Sequence, residues 1–326
     1  MSTAPAATAP PGPGASPGPS PGPATKLRTP GSGTRLRTQG PFTRLRTPAG
    51  RRRASRRALL LTAATFTVVC CLFPVYWMVA TAFRPSRDIQ SYDPRLLPDT
   101  WTLDHFRTAI GADGFGLFWR NSVLVTLAAV LLSLVVALGA AYAVARLRWR
   151  GRRQFMLAVF IAQMAPWESL VIPVYIIARD TDMLDRLPTL TLVYFMITLP
   201  FTVVVLRGFI AGIPPELEEA AQVDGCTRVG AFRRVAFPLL APGLMATSLF
   251  GFITAWNEFT YANFLIIKQQ DSRTLPVWLS SFQTTFGTDW GATMAASTLF
   301  ALPALVVFLA LQRHVTSGLT AGGVKG

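Results

Sequence analysis

Long apolar runs alternate with short charged segments along this chain, and the alternation predicts its architecture. Six stretches carry at most one charged residue each, whereas the segments between them hold most of the Lys, Arg, Asp and Glu. Because the ~30 Å hydrocarbon core of a bilayer requires about 20 apolar residues as helix, each stretch is long enough for one transmembrane helix. The predicted spans are residues 58–82, 121–145, 154–178, 188–206, 239–267 and 291–312.

Composition supports the same fold class. Hydrophobic residues make up 51% of the chain, charged residues only 14%, and the mean hydropathy is +0.39. A soluble domain carries about 25% charged residues, so a chain this poor in charge is typical of a bilayer protein. We therefore predict an all-α, polytopic membrane protein with six transmembrane helices.

The distribution of basic residues predicts the orientation of these helices. With the N-terminus assigned to the cytoplasm, 22 of the 31 Lys and Arg residues fall on the cytoplasmic side and 9 on the other. Cytoplasmic loops are enriched in Lys and Arg, so both termini are predicted to be cytoplasmic, N-in and C-in. Acidic residues follow the opposite trend, since Asp88, Asp93, Asp99, Asp104 and Asp113 all fall in the first outer loop.

Residues 1–57 differ in composition from the rest of the chain. They are rich in Pro, Gly and Arg, contain no acidic residue and repeat a short basic pattern: KLRTP at 26–30, RLRTQ at 35–39 and RLRTP at 44–48. Such a segment lacks the apolar residues needed for a core, so a disordered cytoplasmic tail is predicted. The tail is either a basic arm that touches anionic lipid or a solvated segment that fixes topology.

Several kinds of chemistry lack the residues they need. Cys70 and Cys71 fall in the first predicted span and Cys226 in a cytoplasmic loop, while His105 and His314 fall on opposite sides. A metal site is therefore not expected, and neither a cofactor nor a nucleic-acid partner is predicted. The chain also has no G-x-x-x-x-G-K-[ST] phosphate loop, so it is not predicted to hydrolyse ATP by that route.

An acidic stretch between the fourth and fifth spans, ELEEAAQVDG at 216–225, stands out in this basic chain. Pro214 and Pro215 suit the start of a helix, and acidic side chains are favoured at its N-terminal end. Gly225 suits the end of the helix, because a left-handed cap residue is least strained as glycine. A second helical stretch, 227–235, follows and leads to Pro238. The loop 212–238 is thus predicted to be a helix, a glycine corner and a second helix, which either dock into a groove of another protein or form a solvated loop.

This stretch resembles the EAA loop of ABC-importer permeases, whose pattern is EAA, three residues, Gly, nine residues and I-x-L-P. The chain has Glu219-Ala220-Ala221, then Gly225, and ends the pattern at Pro238, with Val235 and Phe237 in place of Ile and Leu. TAWNEF at 254–259 and the terminal LQRHVTSGLTAGGVKG resemble carbohydrate-uptake permeases of the maltose-importer G-subunit type. The resemblance covers residues 58–326, the predicted permease domain.

The resemblance implies a type I ABC-importer permease fold in a bacterial cell membrane. It also implies the partners: a cytoplasmic ATPase dimer that hydrolyses ATP, a second homologous permease and an extracellular sugar-binding lipoprotein. The protein itself would be a transport subunit rather than an enzyme. The residues predicted to couple it to the ATPase are Glu216, Glu218, Glu219, Ala220, Ala221, Asp224, Gly225 and Pro238.

Two intramembrane carboxylates mark a candidate transport path, since ionisable residues there are costly and usually functional. Glu258 lies in WNEF, next to aromatic and amide groups of the kind that bind sugars. Alternatively, it pairs with a cation, packs against the partner permease or serves a general gating or structural role. Glu168 lies between Pro166 and Pro173, where the helix is either bent towards a cavity or simply kinked. The path candidates are Glu168, Trp256, Asn257, Glu258, Phe259, Tyr261 and Asn263. Arg207 is predicted to be an interface anchor rather than part of a site.

Other functions remain open at this point. An ABC importer for amino acids or peptides shares the EAA pattern, and the terminal signature favours sugars over it. A secondary transporter without an ATPase could use Glu168 and Glu258 as a proton relay, but this leaves the acidic loop unexplained. A membrane enzyme lacks a nucleophile–base pair.

Overall fold

Four long apolar helices and two bent helix pairs form the framework of the protein. The computed structural model describes residues 48–91, 95–284 and 287–323. Four helices have the length and composition to cross a membrane on their own, and the count rises to six if each bent pair is one span. The six predicted spans correspond to these six units.

The helices of the first half of the chain are α1 (Pro48–Ala82), α2 (Ser86–Ile89), α3 (Asp104–Gly111), α4 (Phe115–Arg146), α5 (Arg152–Gln163), a 3₁₀ turn (Trp167–Leu170), α6 (Val171–Asp180) and α7 (Leu187–Gly212). The second half contains α8 (Pro215–Val223), α9 (Arg228–Ala231), a π turn (Phe232–Ala236), α10 (Phe237–Leu239), α11 (Ala241–Trp256), α12 (Thr260–Leu265), a 3₁₀ turn (Gln270–Ser272), α13 (Leu275–Ser280) and α14 (Trp290–Gly323). Two short antiparallel strands, β1 (Gln283–Thr284) and β2 (Gly287–Thr288), precede α14.

The first helix begins earlier than predicted. α1 starts at Pro48, so residues 48–57, which were predicted to belong to a disordered tail, continue the helix. Proline is well tolerated at the first helical position, and the following run of Arg and Ala favours helix. The chain divides into two units, 1–61 and 62–326, and the packing described below lies within the second. The remainder of the predicted tail, residues 1–47, lies outside the described residues.

The interface between α4 and α7 is the most extensive pairing among the described helices. Ala137 and Ala141 of α4 are fully buried there, against Val203, Leu206 and Ile210 of α7. Small residues allow helix backbones to approach closely, and close packing is what holds helices together in lipid. The α4–α7 pair is therefore the centre on which the other elements assemble.

A second packing centre joins α11 and α14. Trp256, at the end of α11, is only 1% exposed, and its ring stacks on Phe252 and Phe300 with centroid separations of 5.4 and 5.8 Å. Its indole N–H donates to the carbonyl oxygen of Phe300 at 3.1 Å. Each such aromatic pair is worth about 0.5–1.5 kcal/mol beyond its buried area, so Trp256 ties the end of the fifth span to the sixth.

The third span is broken rather than continuous. α5 ends at Gln163, and the segment from Trp167 to Asp180 leaves at an angle of 88°. Pro166 immediately precedes the new helical segment and Pro173 lies inside α6. The predicted break is confirmed, because proline removes a ladder donor and disfavours helix at the residue before it.

The fifth span is also broken, and the predicted single span 239–267 is wrong in this respect. The segment Arg228–Leu239 meets α11 at 68°, and α11 ends at Trp256. α12 begins at Thr260 after a short turn. The apolar run therefore holds two helices of 16 and 6 residues, and a hydropathy pattern carries no signal for the turn between them.

A single carboxylate fastens the loop between α6 and α7 to the segment after α12. Oδ1 of Asp185 accepts hydrogen bonds from the backbone N–H groups of Ile267, Lys268 and Gln269 at 2.6, 2.8 and 3.2 Å. Burial acts to raise the pKa of the Asp185 carboxyl, but these N–H groups outweigh it and hold that pKa below its ordinary value. Ionised Asp185 thus stabilises the contact between two loops on one side of the protein.

Candidate functional site

The acidic segment forms helix α8 with defined ends. Pro215 is its first residue, and Gly225 follows its C-terminal end with φ +91°. The Cys226 N–H donates to the Ala221 carbonyl at 2.9 Å and the Gly225 N–H to the Gln222 carbonyl at 3.1 Å, which is the Schellman pattern. The prediction that Gly225 ends this helix in a left-handed conformation is confirmed. No atom lies within 4 Å of the position of an added Cβ, so backbone conformation rather than space favours glycine.

Glu218 faces the protein interior rather than solvent. Its Oε1 accepts a hydrogen bond from Nε of Arg146 at 2.7 Å, and its Oε2 accepts one from the Tyr142 hydroxyl at 2.8 Å. Nη2 of Arg146 also donates to the carbonyl oxygen of Ile213 at 2.8 Å. The prediction that Glu218 is a charged anchor for a partner is therefore corrected. It shares the inward face of α8 with half-buried Ala221, three residues on, and fixes that helix to the end of α4.

The outward face of α8 remains available to another protein. Glu216, Glu219, Ala220 and Asp224 are exposed, and Val223 among them is 88% exposed. Three carboxylates thus lie beside a small residue, Ala220, and an exposed apolar side chain, Val223. This combination permits both charge pairing and close apolar contact with a partner.

The segment after α8 links it directly to the fifth span. Oγ1 of Thr227 accepts a hydrogen bond from the Gly230 N–H at 3.1 Å and caps α9. The helical path then runs through the π turn Phe232–Ala236 into α10, where Pro238 is exposed. The 68° bend before α11 follows at once, so a displacement of α8 reaches the span through a short helical connection.

An open groove of about 1100 Å³ runs beside α8. Glu219 lines it on the α8 side, and Arg148 lines it from the α4–α5 loop. Arg152 and Arg228 line it from the first residues of α5 and α9. Sequence reasoning missed the contribution of this loop to the surface. The sequence does carry a signal for this surface, because residues 146–153 are dense in arginine. The same arginines also indicate the topology.

Glu258 caps a helix instead of presenting its charge to a cavity. Its carboxylate oxygens accept hydrogen bonds from the N–H groups of Tyr261 at 2.8 Å and Ala262 at 3.2 Å. These N–H groups belong to the first turn of α12, whose donors have no partner within the helix. Among the alternatives for Glu258, this geometry corresponds to a structural role.

Two tyrosines hold the broken spans together. The Tyr261 hydroxyl donates to the carbonyl oxygen of Trp167 at 2.7 Å, and the Tyr194 hydroxyl of α7 donates to the carbonyl oxygen of Glu258 at 3.2 Å. Both tyrosines are 2% exposed. The breaks in the third and fifth spans therefore lie against each other, with α7 behind them.

The predicted transport-path residues separate into buried and exposed groups. The rings of Trp256 and Tyr261 are buried within this chain, so their assignment to a substrate surface is corrected. The side chains of Glu168, Asn257, Phe259 and Asn263 are exposed, and Glu258 is half-buried. The exposed group retains the amide, carboxylate and aromatic chemistry that a polar solute requires.

These features define a multi-pass helical membrane protein with an exposed acidic helix between two of its spans. Residues 129–320 match the family described as "Binding-protein-dependent transport system inner membrane component", and the chain belongs to this family. It is 58% identical over 255 residues to the diacetylchitobiose uptake system permease protein DasC of Streptomyces coelicolor, which covers 78% of this chain and 92% of that protein. It is 36% identical to the trehalose transport system permease protein SugB of Mycobacterium tuberculosis, over 85% of this chain and all (100%) of that protein.

Solved structures share the fold. A bacterial ABC transporter involved in the import of the acidic polysaccharide alginate superimposes with a TM-score of 0.70 at 21% identity, covering 82% of this chain and 98% of the other. The alginate ABC transporter in complex with a periplasmic protein bound to an alginate pentasaccharide gives a TM-score of 0.56 at 18% identity, covering 82% and 96%. The predicted ABC-importer permease fold and family membership are thus confirmed.

Proposed function

We propose that this protein is the permease subunit of an ATP-driven, binding-protein-dependent sugar importer in a bacterial cell membrane. The observation that carries the proposal is helix α8, whose exposed acidic face is fixed to a membrane span through Glu218 and Arg146. The 58% identity to a diacetylchitobiose permease supports a carbohydrate substrate.

The partners follow from the class of importer. A cytoplasmic ATPase dimer supplies ATP hydrolysis, a second permease completes the translocation pathway, and an extracellular sugar-binding protein delivers the substrate. The surface that meets the ATPase is the outward face of α8, with Glu216, Glu219, Ala220 and Asp224, next to the groove lined by Arg148 and Arg228. Carboxylates and guanidinium groups side by side give such an interface a defined register.

Coupling between ATPase and membrane proceeds along two rigid connections. One is the Arg146–Glu218 ion pair, which joins α8 to α4, and the other is the helical path from α9 to α11. Movement of α8 then tilts α4 and α11 together, and the cavity alternates between its two sides as rigid spans rock. The Tyr261–Trp167 contact moves the two broken spans as one body.

The substrate meets the exposed residues near these breaks. Asn257 and Asn263 supply amide groups for sugar hydroxyls, Phe259 supplies an aromatic face, and Glu168 accepts hydrogen bonds. Glu258 supports this surface by capping α12. In the proposed orientation, both chain termini and α8 are cytoplasmic.

An importer for amino acids or peptides receives no support from the relatives reported above, which carry sugar names. An ATPase-independent proton relay is also disfavoured, because both oxygens of Glu258 are occupied by backbone N–H groups.

The test is purification of the chain from its native membrane in mild detergent, with mass spectrometry of everything retained. Recovery of an ATPase, a second permease and a lipid-anchored binding protein is expected. The binding protein is then titrated with chito- and other oligosaccharides, and uptake is measured in vesicles with and without ATP. Recovery of the chain alone, together with ATP-independent uptake, would refute the proposal.

A further inference from the structure

A basic pocket lies between the start of α5 and the last turns of α7. It has a volume of about 510 Å³. Its lining includes Trp149, Arg152, Arg153, Met156, Phe160 and Arg207. Three of the eight described residues that line the pocket carry a positive charge, and none of the eight carries a carboxylate.

The pocket lies at the depth where the apolar runs end. Arg152 and Arg153 immediately precede the third span, and Arg207 immediately follows the charge-free run 187–206 of the fourth. The start of the third span and the end of the fourth face the same side, whichever way the protein is oriented. This is also the side of α8, which begins at Pro215, and it is the boundary where lipid headgroups lie.

Arg207 is poised for a ligand that the protein itself does not supply. Its Nε is buried and has no hydrogen-bond partner among the described residues. The remainder of its guanidinium group lines the pocket beside Arg152 and Arg153. An oxygen-rich anion provides acceptors for these three guanidinium groups together.

The walls of the pocket are amphiphilic. Met156 is buried and Phe160 is 46% exposed, so an apolar surface extends from the arginines along α5 towards the membrane. Trp149 is 41% exposed, and its ring lies 3.2 Å from the position of a Cβ on Gly151, which has φ +96°. A tryptophan at a membrane–water boundary commonly contacts the headgroup region.

We propose that this pocket binds the phosphate of an anionic phospholipid, with Arg152, Arg153 and Arg207 around the headgroup and an acyl chain along Phe160. A free phosphate satisfies the arginines but not the apolar wall, which favours the lipid. The acidic surface of a partner protein is disfavoured because the apolar wall opens along the side of a membrane helix.

The experiment uses the purified importer complex reconstituted in nanodiscs of phosphatidylcholine with a fixed fraction of phosphatidylglycerol or cardiolipin. Bound lipid is counted by native mass spectrometry after stepwise delipidation. We expect wild type to retain anionic lipid preferentially. R153Q and R207Q should each lower retention about fivefold, which corresponds to the ~1 kcal/mol typical of one arginine near an anionic surface.

R150Q is the matched control, because Arg150 is exposed in the loop just before α5 and does not line the pocket. R153Q keeps the test valid if R207Q fails to fold, since Arg153 is exposed. The proposal would be overturned if wild type retained phosphatidylcholine as well as the anionic lipid. It would also be overturned if R150Q and R153Q lost the anionic lipid to the same extent. Displacement of the lipid by an equal concentration of inorganic phosphate would assign the pocket to a free anion instead. Loss of the ATPase from R153Q with unchanged lipid retention would assign it to a protein contact.

Discussion

Arg146 and Glu218 are separated by 72 residues in sequence but form an ion pair of 2.7 Å in which both side chains are largely buried. The pair joins the last residue of α4 to the middle of α8. Tyr142, one turn before Arg146, adds a second hydrogen bond to the same carboxylate. Helix α8 is therefore anchored to a span by hydrogen bonds and an ion pair rather than held only by the loops at its two ends.

Breaking this pair from one side should be far more damaging than replacing it. R146M leaves Glu218 buried without its cation, and we expect about 3–5 kcal/mol of destabilisation. The double variant R146M/E218M replaces the pair with apolar groups of similar length and should recover most of that loss. The measurement is thermal unfolding of the purified subunit, analysed as a double-mutant cycle.

E219Q serves as the control for this cycle, because Glu219 is the next residue of the same helix and is exposed. Its unfolding should stay within about 0.5 kcal/mol of wild type. Equal stability of R146M and wild type would show that the ion pair contributes little to anchoring α8.

Substitutions at Gly225 should separate backbone strain from charge. Asn and Asp both tolerate the left-handed conformation, and space for either side chain is open. We expect G225N to support nearly normal ATP-driven uptake, whereas G225D should lower uptake about tenfold, equivalent to ~1.4 kcal/mol of docking free energy. The measurement is sugar uptake in membrane vesicles, normalised to the amount of assembled complex.

G225V tests the conformational contribution, since a β-branched residue strains a left-handed backbone by about 1–2 kcal/mol. It should lower the melting temperature of the subunit, which G225D should change less. Equal uptake by G225D and G225N would show that a negative charge at position 225 does not impair docking.

Much of the fold is predictable because each helix that spans the bilayer requires about 20 consecutive apolar residues. The charge-free stretch 121–145 and the observed helix α4 agree, as do 188–206 and α7. The break at Pro166 was also predictable, since proline acts locally. The turn at 257–259 was not, because it depends on a carboxylate that caps the next helix and on a tyrosine from α7.

The candidate site was predictable in position but not in the direction of its side chains. The motif located α8 and the glycine at its end. Glu218 and Glu219 look equivalent in sequence, but Glu218 is buried and Glu219 is exposed. Their difference depends on Arg146, which comes from a distant segment. Trp256 was misassigned for a similar reason, since only the packing of α14 against α11 decides that its ring is buried.

Asp185 should make stability depend on pH. The lowered pKa means that the ionised form stabilises the fold; this contribution is complete above the unfolded value of about 3.9 and is lost as pH falls through the folded value. D185A removes the acceptor, which should cost about 1 kcal/mol at neutral pH. Because Asp185 has φ +60°, alanine also adds about 1–2 kcal/mol of backbone strain that does not depend on pH. Melting temperature is measured at several pH values down to about 3.

D185N is the matched control, because all three N–H groups meet Oδ1, which an Asn side chain retains. The difference in melting temperature between D185N and wild type therefore reports the contribution of the charge alone. This difference should shrink as the pH approaches 3. A deficit that stays constant over that range would contradict an electrostatic origin.

Exposed and buried members of the predicted transport path should respond differently to substitution. N257A and N263A remove exposed amides, so we expect a raised KM for uptake of the sugar–binding-protein complex. N263A should leave the melting temperature unchanged, whereas N257A should lower it slightly, because the Asn257 amide donates to the Ile253 carbonyl at 2.8 Å. Y261F removes the hydrogen bond to the Trp167 carbonyl and should destabilise the subunit by about 0.5–1.5 kcal/mol, with KM changed little among the molecules that remain folded. The measurements are uptake kinetics in vesicles and thermal unfolding of the same preparations. A normal KM in the N257A/N263A double variant would move the substrate surface away from the fifth span, and Glu168 would then be the next residue to test.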